Sequence, residues 1–222
     1  MIFVITGTSS GLGFELAKIL GQYGLVIGLS RKLGKAHLLS ASSFKWIKVD
    51  FTDEVDVMHD VFKSKLVPEI ESNDFKLIIN SAMFYAGDER PGFDKDLDII
   101  RVNYLAPKLL IETVAQYGLK RILFVNSISG LIGQADQQEY ASSKHALQGY
   151  ASSLAKEAKN LNYDVMSVNP GGMNTELWDA SPEINTSDFI CPIVFAELLV
   201  SLVILRQRLF IDKMIILPPS DL

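Results

Sequence analysis

The chain opens with Met1-Ile2-Phe3-Val4-Ile5, breaks at Thr6-Gly7-Thr8-Ser9-Ser10-Gly11-Leu12-Gly13, and passes straight into a helical pattern. The same alternation of a short apolar run with a helix-periodic stretch continues through most of the sequence. No other feature constrains the fold as strongly. Continuous apolar runs read as strands buried on both faces, and parallel neighbours need helical crossovers to cover them. The spacing predicts strands over residues 2–6, 25–29, 46–49, 77–80, 122–126, 165–168 and 214–217. It predicts helices over residues 12–22, 54–65, roughly 97–117, 140–160 and 192–207. No repeat, low-complexity tract or linker interrupts the pattern, so residues 1–222 are expected to form a single α/β domain.

Polar residues gather where the predicted strands end. Gly7 follows the first, Asp50 the third, Ser127 the fifth and Asn169-Pro170-Gly171 the sixth, while Asn80 closes the fourth. In a doubly wound parallel β-sheet of the Rossmann type, ligands bind beyond the carboxyl ends of the strands, near a topological switch point. Segments remote in sequence are therefore expected to converge on one crevice.

Composition narrows the functions available. At 222 residues the chain can bury a substantial core. With 48% hydrophobic and 21% charged residues it is ordinary globular material. A net charge of −5 argues against nucleic acid as a partner. The single cysteine, Cys191, excludes an internal disulfide framework and suits a reducing compartment, so a cytoplasmic location is expected. His37, His59 and His145 are scattered, and no metal site is expected. Residues 190–205 are apolar but short, and contain Pro192, Glu197 and Ser201, so they read as a buried helix or one whose outer face meets another subunit, and no membrane contact is expected.

Two local patterns carry chemistry. A glycine-rich turn between a strand and a helix brings backbone N–H groups and a helix N-terminus close to a pyrophosphate. Tyr140 and Lys144, four residues apart, share one face of a predicted helix, where an ammonium can stabilise a phenolate. A tyrosine with a pKa of about 10 is too weak an acid for neutral pH. A cation at about 4 Å and an effective dielectric near 20 is worth roughly 4 kcal/mol, up to about three pKa units. A redox cofactor and a proton donor together suggest hydride transfer.

The glycine spacing matches T-G-x-x-x-G-x-G at every fixed position, and Ser127 lies 13 residues before Tyr140. In both respects the chain resembles the short-chain dehydrogenase/reductase family, and the resemblance covers nearly its whole length. It implies a catalytic set of Ser127, Tyr140, Lys144 and Asn103, the last in Val102-Asn103-Tyr104 on the helix before the fifth strand. Ser127 would hydrogen-bond a substrate carbonyl, Tyr140 would deliver a proton, Lys144 would lower the tyrosine pKa and anchor the nicotinamide ribose, and Asn103 would order a relay water. The implied cofactor contacts are Gly7, Ser9, Ser10, Gly11, Leu12 and Gly13 at the turn; Ser30, Arg31 and Asp50 toward the adenosine; Asn80, Ser81 and Ala82 after the fourth strand; Tyr140 and Lys144; and Pro170, Gly171, Met173 and Thr175, which resemble the P-G-x-x-x-T segment at the nicotinamide end. Asp50 alternatively caps the next helix. One motif departs: the family's N-N-A-G reads Asn80-Ser81-Ala82-Met83, placing a flexible apolar side chain beside the entrance.

Ser30 stands where an acid about twenty residues beyond the turn would favour a free ribose 2′-hydroxyl, and Arg31 offers a planar fork suited to phosphate. NADP(H) is therefore expected over NAD(H). No lysine or arginine occurs from residue 160 to residue 205, while six acids do (Asp164, Glu176, Asp179, Glu183, Asp188, Glu197). An acidic rim would repel an acyl thioester, so the expected substrate is a small, neutral, partly apolar ketone or aldehyde, or the corresponding alcohol. Small residues along the Tyr140 helix (Ala141, Ala146, Gly149, Ala151, Ala155), with the resemblance, imply a homodimer or homotetramer. A nucleotide-sugar epimerase and an NADPH-binding redox sensor without turnover are the alternatives.

Overall fold

The computed structural model describes all residues except 81, 85–91, 136, 179–184 and 220–222. Seven strands form one sheet, all in parallel: β1 (Ile2–Thr6), β2 (Leu25–Ser30), β3 (Phe44–Lys48), β4 (Phe75–Ile79), β5 (Leu119–Val125), β6 (Asp164–Pro170) and β7 (Ile211–Ile216). Their order is β3-β2-β1-β4-β5-β6-β7. The chain winds outward from β1 to β3, returns to β4 on the other side of β1, and winds outward again. The reversal leaves a crevice above the carboxyl ends of β1 and β4.

Side chains two apart on a strand share a face. Phe3 and Ile5 point into a layer with α1 (Gly11–Leu20) and α7 (Pro192–Ile204), where Leu16, Leu20, Phe195 and Leu199 are buried. Ile2 and Val4 point the other way, into a core with Phe62, Leu110, Phe124 and Leu154. That second face is covered by α2 (Val55–Val61), α3 (Val67–Ile70), α4 (Phe93–Ile100), α5 (Ala106–Val114) and α6 (Gln138–Glu157). Among the described residues no helix is long and apolar enough to cross a membrane.

Two predicted helices differ in detail, for one shared reason. A π turn at Phe62–Leu66 joins α2 to α3, and another at Arg101–Leu105 joins α4 to α5. Each is followed after one residue by a proline, Pro68 or Pro107. A proline ring clashes with the carbonyl four residues back and offers that carbonyl no N–H. The inserted residue swings the carbonyl aside, and the ladder resumes with Val67 N–H on Phe62 O and Ala106 N–H on Arg101 O. The first helix therefore runs on to residue 70 instead of stopping at 65.

At the opposite end of the sheet, Asp164 is buried against Arg121, with Nε donating at 2.9 Å. Arg121 also donates to the carbonyls of Val203 and Leu205, and Lys76 Nζ donates to Val203 at 2.6 Å. These cations satisfy carbonyls left over at the C-terminus of α7. Asp164 is thus no part of an acidic rim. It is the buried partner of a helix-capping arginine.

Candidate active site

Geometry first explains the glycines. Gly7 (φ 75°) and Gly11 (φ 51°) adopt a left-handed backbone that turns β1 into α1. Gly13 lies where any Cβ would stand 2.0 Å from the Gly7 carbonyl, so it lets α1 pack down onto the turn. Asn80 ties β4 to β1, its N–H donating to Thr6 Oγ1 at 2.9 Å and its Nδ2 to Thr6 O at 3.3 Å. Above these strand ends lies a crevice of about 860 Å³. Every described residue expected to bind cofactor or act in catalysis lines it except Gly13, which packs below the turn, and Asn103. Ser81 lies outside the described residues.

Ser127 follows β5 and Tyr140 opens α6. The Ser127 hydroxyl accepts the Ser129 N–H at 3.1 Å and is hydrogen-bonded to the Tyr140 side chain. One turn further on, Lys144 Nζ lies 5.6 Å from the centroid of the Tyr140 ring. The ammonium is 1% exposed, and burial draws its pKa down to about 8. Burial also pushes the Tyr140 phenol up to about 12, against the opposing hydrogen bond from Ser127. Burial therefore moves the phenol in the direction opposite to the one expected of Lys144.

Asn103 sits behind this pair in the Arg101–Leu105 π turn and is fully buried. Its Oδ1 accepts the Met83 N–H at 2.7 Å, and its Nδ2 donates to Met83 O at 2.9 Å and to Ser143 Oγ at 2.9 Å. Ser143 Oγ in turn donates to Tyr140 O at 2.7 Å. The amide is committed to protein groups, so any water-ordering role falls to the Asn103 main-chain carbonyl, to which Pro107 offers no N–H. The sequence did not single out Ser143 or the buried network beneath it. Asn126 Nδ2 donates to Lys144 O and Gln148 Oε1, and Gln148 accepts Ser167 Oγ at 2.8 Å while donating to Asp212 O at 3.1 Å. Small polar residues on a predicted helix give no sign, in one dimension, of lying against a sheet.

Toward the β2–β3 side, Ser30 Oγ donates to Lys32 O at 2.7 Å and accepts Trp46 Nε1 at 3.1 Å. Arg31 is exposed beside it on the crevice. Asp50 Oδ1 accepts the Thr52 N–H and hydroxyl, closing a turn ahead of α2, whose N-cap is Glu54.

The segment after β6 crosses the mouth. Gly171 N–H donates to Ile216 O, and Ile190 N–H to Gly172 O, both at 2.9 Å. A Cβ on Gly172 would press the Phe189 ring at 2.9 Å. Tyr140, Phe84, Trp178 and Phe189 form an unbroken run of rings, with centroids 5.1, 5.5 and 5.5 Å apart. Trp178 Nε1 is held by Met173 O at 2.9 Å. Glu176 pairs with Lys35, so a cation from outside the lysine- and arginine-free stretch reaches the rim.

The sequence profile of the short chain dehydrogenase family matches residues 1–185. The chain belongs to that family. It is 30% identical over 199 residues to the protein named "Uncharacterized oxidoreductase YusZ" of Bacillus subtilis (strain 168), covering 81% of this chain and 68% of that one. Two solved structures share the fold at 22% identity. A 4-hydroxyisoleucine dehydrogenase mutant complexed with NADH and succinate has a TM-score of 0.83, covering 98% of this chain and 97% of the other. BdcA in complex with NADPH has a TM-score of 0.80, covering 98% and 93%. The chain spans 58% to 68% of the length of the first curated relatives it matches.

Proposed function

We propose that this chain is an NADPH-dependent carbonyl reductase acting on a neutral, partly apolar ketone or aldehyde. What carries the proposal is the assembly of Ser127, Tyr140 and Lys144 in one crevice with a glycine-rich helix N-terminus. The residues present fit a dinucleotide: Gly7 and Gly11 supply the left-handed cradle, and a carboxylate oxygen of Glu176 already lies at the start of α1, an anionic stand-in for a phosphate. A bound reduced nicotinamide would supply the hydride.

The chain's own residues handle the proton. Ser127, fixed between Ser129 and Tyr140, directs a hydroxyl at the substrate oxygen, and Tyr140 gives its phenolic proton to that oxygen as the alcohol forms. Lys144 remains an ammonium at neutral pH, since its pKa is about 8, and steadies the phenolate that is left. A water at the Asn103 carbonyl returns the proton. Arg31, with no acid at Ser30, favours the 2′-phosphate of NADPH. Phe84, Trp178 and Phe189 give the substrate apolar walls. The exposed Cys191 suits work in the reducing cytoplasm.

A panel of carbonyl compounds screened for NADPH consumption tests the proposal. Tyr140→Phe should nearly abolish turnover while NADPH binding survives, since only a hydroxyl is lost. Substantial activity in that variant refutes the role of Tyr140. Stoichiometric NADPH binding with no turnover of any carbonyl would favour a redox sensor.

A further inference from the structure

Glu176 belongs to the short turn Glu176–Trp178 after β6, yet its carboxylate lies across the crevice at the start of α1. Its Oε2 lies beside the helix start, 3.6 Å from where a Cβ on Gly11 would stand. Its Oε1 pairs with Lys35. Lys35 is tied to the glycine turn through its own N–H, which donates to Ser9 O at 2.7 Å. Helix α1 has no acid in its first turn, and Ser10 at its N-cap makes no side-chain cap. Unpaired N–H groups and the positive end of the helix dipole attract an anion, and here the chain supplies one from a distant segment.

We infer that Glu176 is an internal occupant of the phosphate subsite, which a cofactor's pyrophosphate must displace, and that its displacement uncovers Tyr140. The inference rests on the crevice being a dinucleotide site. One helix N-terminus and one Lys35 ammonium cannot serve a carboxylate and a pyrophosphate together, and the two anions repel each other at that distance. Trp178 lies two residues beyond Glu176 in the same turn, its ring tilted against Phe84, which in turn meets the Tyr140 ring. Moving Glu176 off α1 carries Trp178 with it and loosens the rings over the phenol. Pyrophosphate is common to NADH and NADPH, so Glu176 sets affinity for both and not the choice between them.

The test compares ADP, adenosine and NADPH binding by calorimetry in the wild-type chain and in Glu176→Gln. Removing the competing charge should tighten ADP and NADPH about ten-fold, which combines a helix-terminus term with an exposed ion pair. Adenosine, which has no phosphate, should bind both proteins alike. ADP affinity that is unchanged or weaker in the variant overturns the inference. If neither protein binds ADP or NADPH, the dinucleotide reading falls and this inference falls with it. The coupling is read by tryptophan emission. ADP should shift it in the wild type and leave Trp178→Phe unchanged, and Glu176→Gln alone should resemble the ADP-bound wild type. A shift that persists in Trp178→Phe comes from Trp46 and overturns the coupling.

Discussion

The side chain of Asn103 grips the Met83 peptide from both sides, accepting its N–H at 2.7 Å and donating to its carbonyl at 2.9 Å. Met83 stands where the family pattern has glycine, and the backbone there is held by Asn103 whatever side chain it bears. Asn103→Ala should cost about 2–4 kcal/mol of stability, because it leaves the part-buried Met83 N–H and carbonyl without their side-chain partner and opens a gap against Ser143 in the buried network. Urea denaturation measures this. A loss under about 0.5 kcal/mol would mean that the loop is held by other contacts.

The fold was legible because buried parallel strands write continuous apolar runs, and all seven fall within a few residues of their predicted places. Boundaries were less legible where the signal was not hydrophobic. The sixth residue of β2 is Ser30, polar yet buried by Trp46, and β7 begins at Ile211 although Asp212 and Lys213 follow, because an edge strand may carry charges outward. The π turns were invisible, since proline marks a break without saying how the helix repairs it. At the site, residues with a spacing rule were found. Ser143, Gln148 and Lys35 have none, and their roles depend on contacts that only folding creates.

The β2 terminus makes a cofactor prediction. Among the described residues Arg31 forms no ion pair, so its guanidinium remains available to a 2′-phosphate. Arg31→Ala should weaken NADPH binding at least ten-fold more than NADH binding, and Ser30→Asp should push preference toward NADH. Equal losses for both cofactors in Arg31→Ala would leave the arginine as a stacking surface for adenine.

The two titrating groups predict a pH profile. The proposed reduction would use protonated Tyr140, which burial keeps protonated up to about 12, so the alkaline limb would belong to Lys144 at about 8. Turnover, measured as kcat/KM, should fall as pH rises through about 8. Stability moves the other way in that range. The unfolded chain holds the Lys144 proton up to 10.5 while the folded chain has released it, so unfolding free energy should rise between about 8 and 10.5. Lys144→Met should remove that rise. An unchanged slope in the variant would assign it to another group.

Helix α6 predicts an interface. Ala141 and Ala151 are buried in the chain's own core, but Gly149 is exposed, and a Cβ there would meet nothing within 4 Å. Light scattering at micromolar concentration should give a dimer or tetramer, and Gly149→Trp should reduce its mass without lowering Tm. A wild-type monomer, or an oligomer indifferent to the tryptophan, would place the contact elsewhere or nowhere.

The rim predicts substrate preference, on firmer ground than its acid count. Of the six acids in the stretch, Asp164 pairs with Arg121 at the far end of the sheet and Glu176 pairs with Lys35, while Asp179 and Glu183 lie outside the described residues. The acids therefore repel a charged substrate less than the bare sequence suggests. What remains over the phenol is aromatic: Phe84, Trp178 and Phe189 form a wall that a flat neutral group can join by edge or face. A neutral aromatic ketone should be preferred to an acyl thioester in kcat/KM, with little dependence on salt. Trp178→Ala should cut the ketone's value about two- to ten-fold, in line with about 0.5–1.5 kcal/mol for one ring contact, and should leave a small aliphatic aldehyde nearly unaffected. A strong thioester preference that fades as salt is raised would show that cations, Lys35 among them, select the substrate instead.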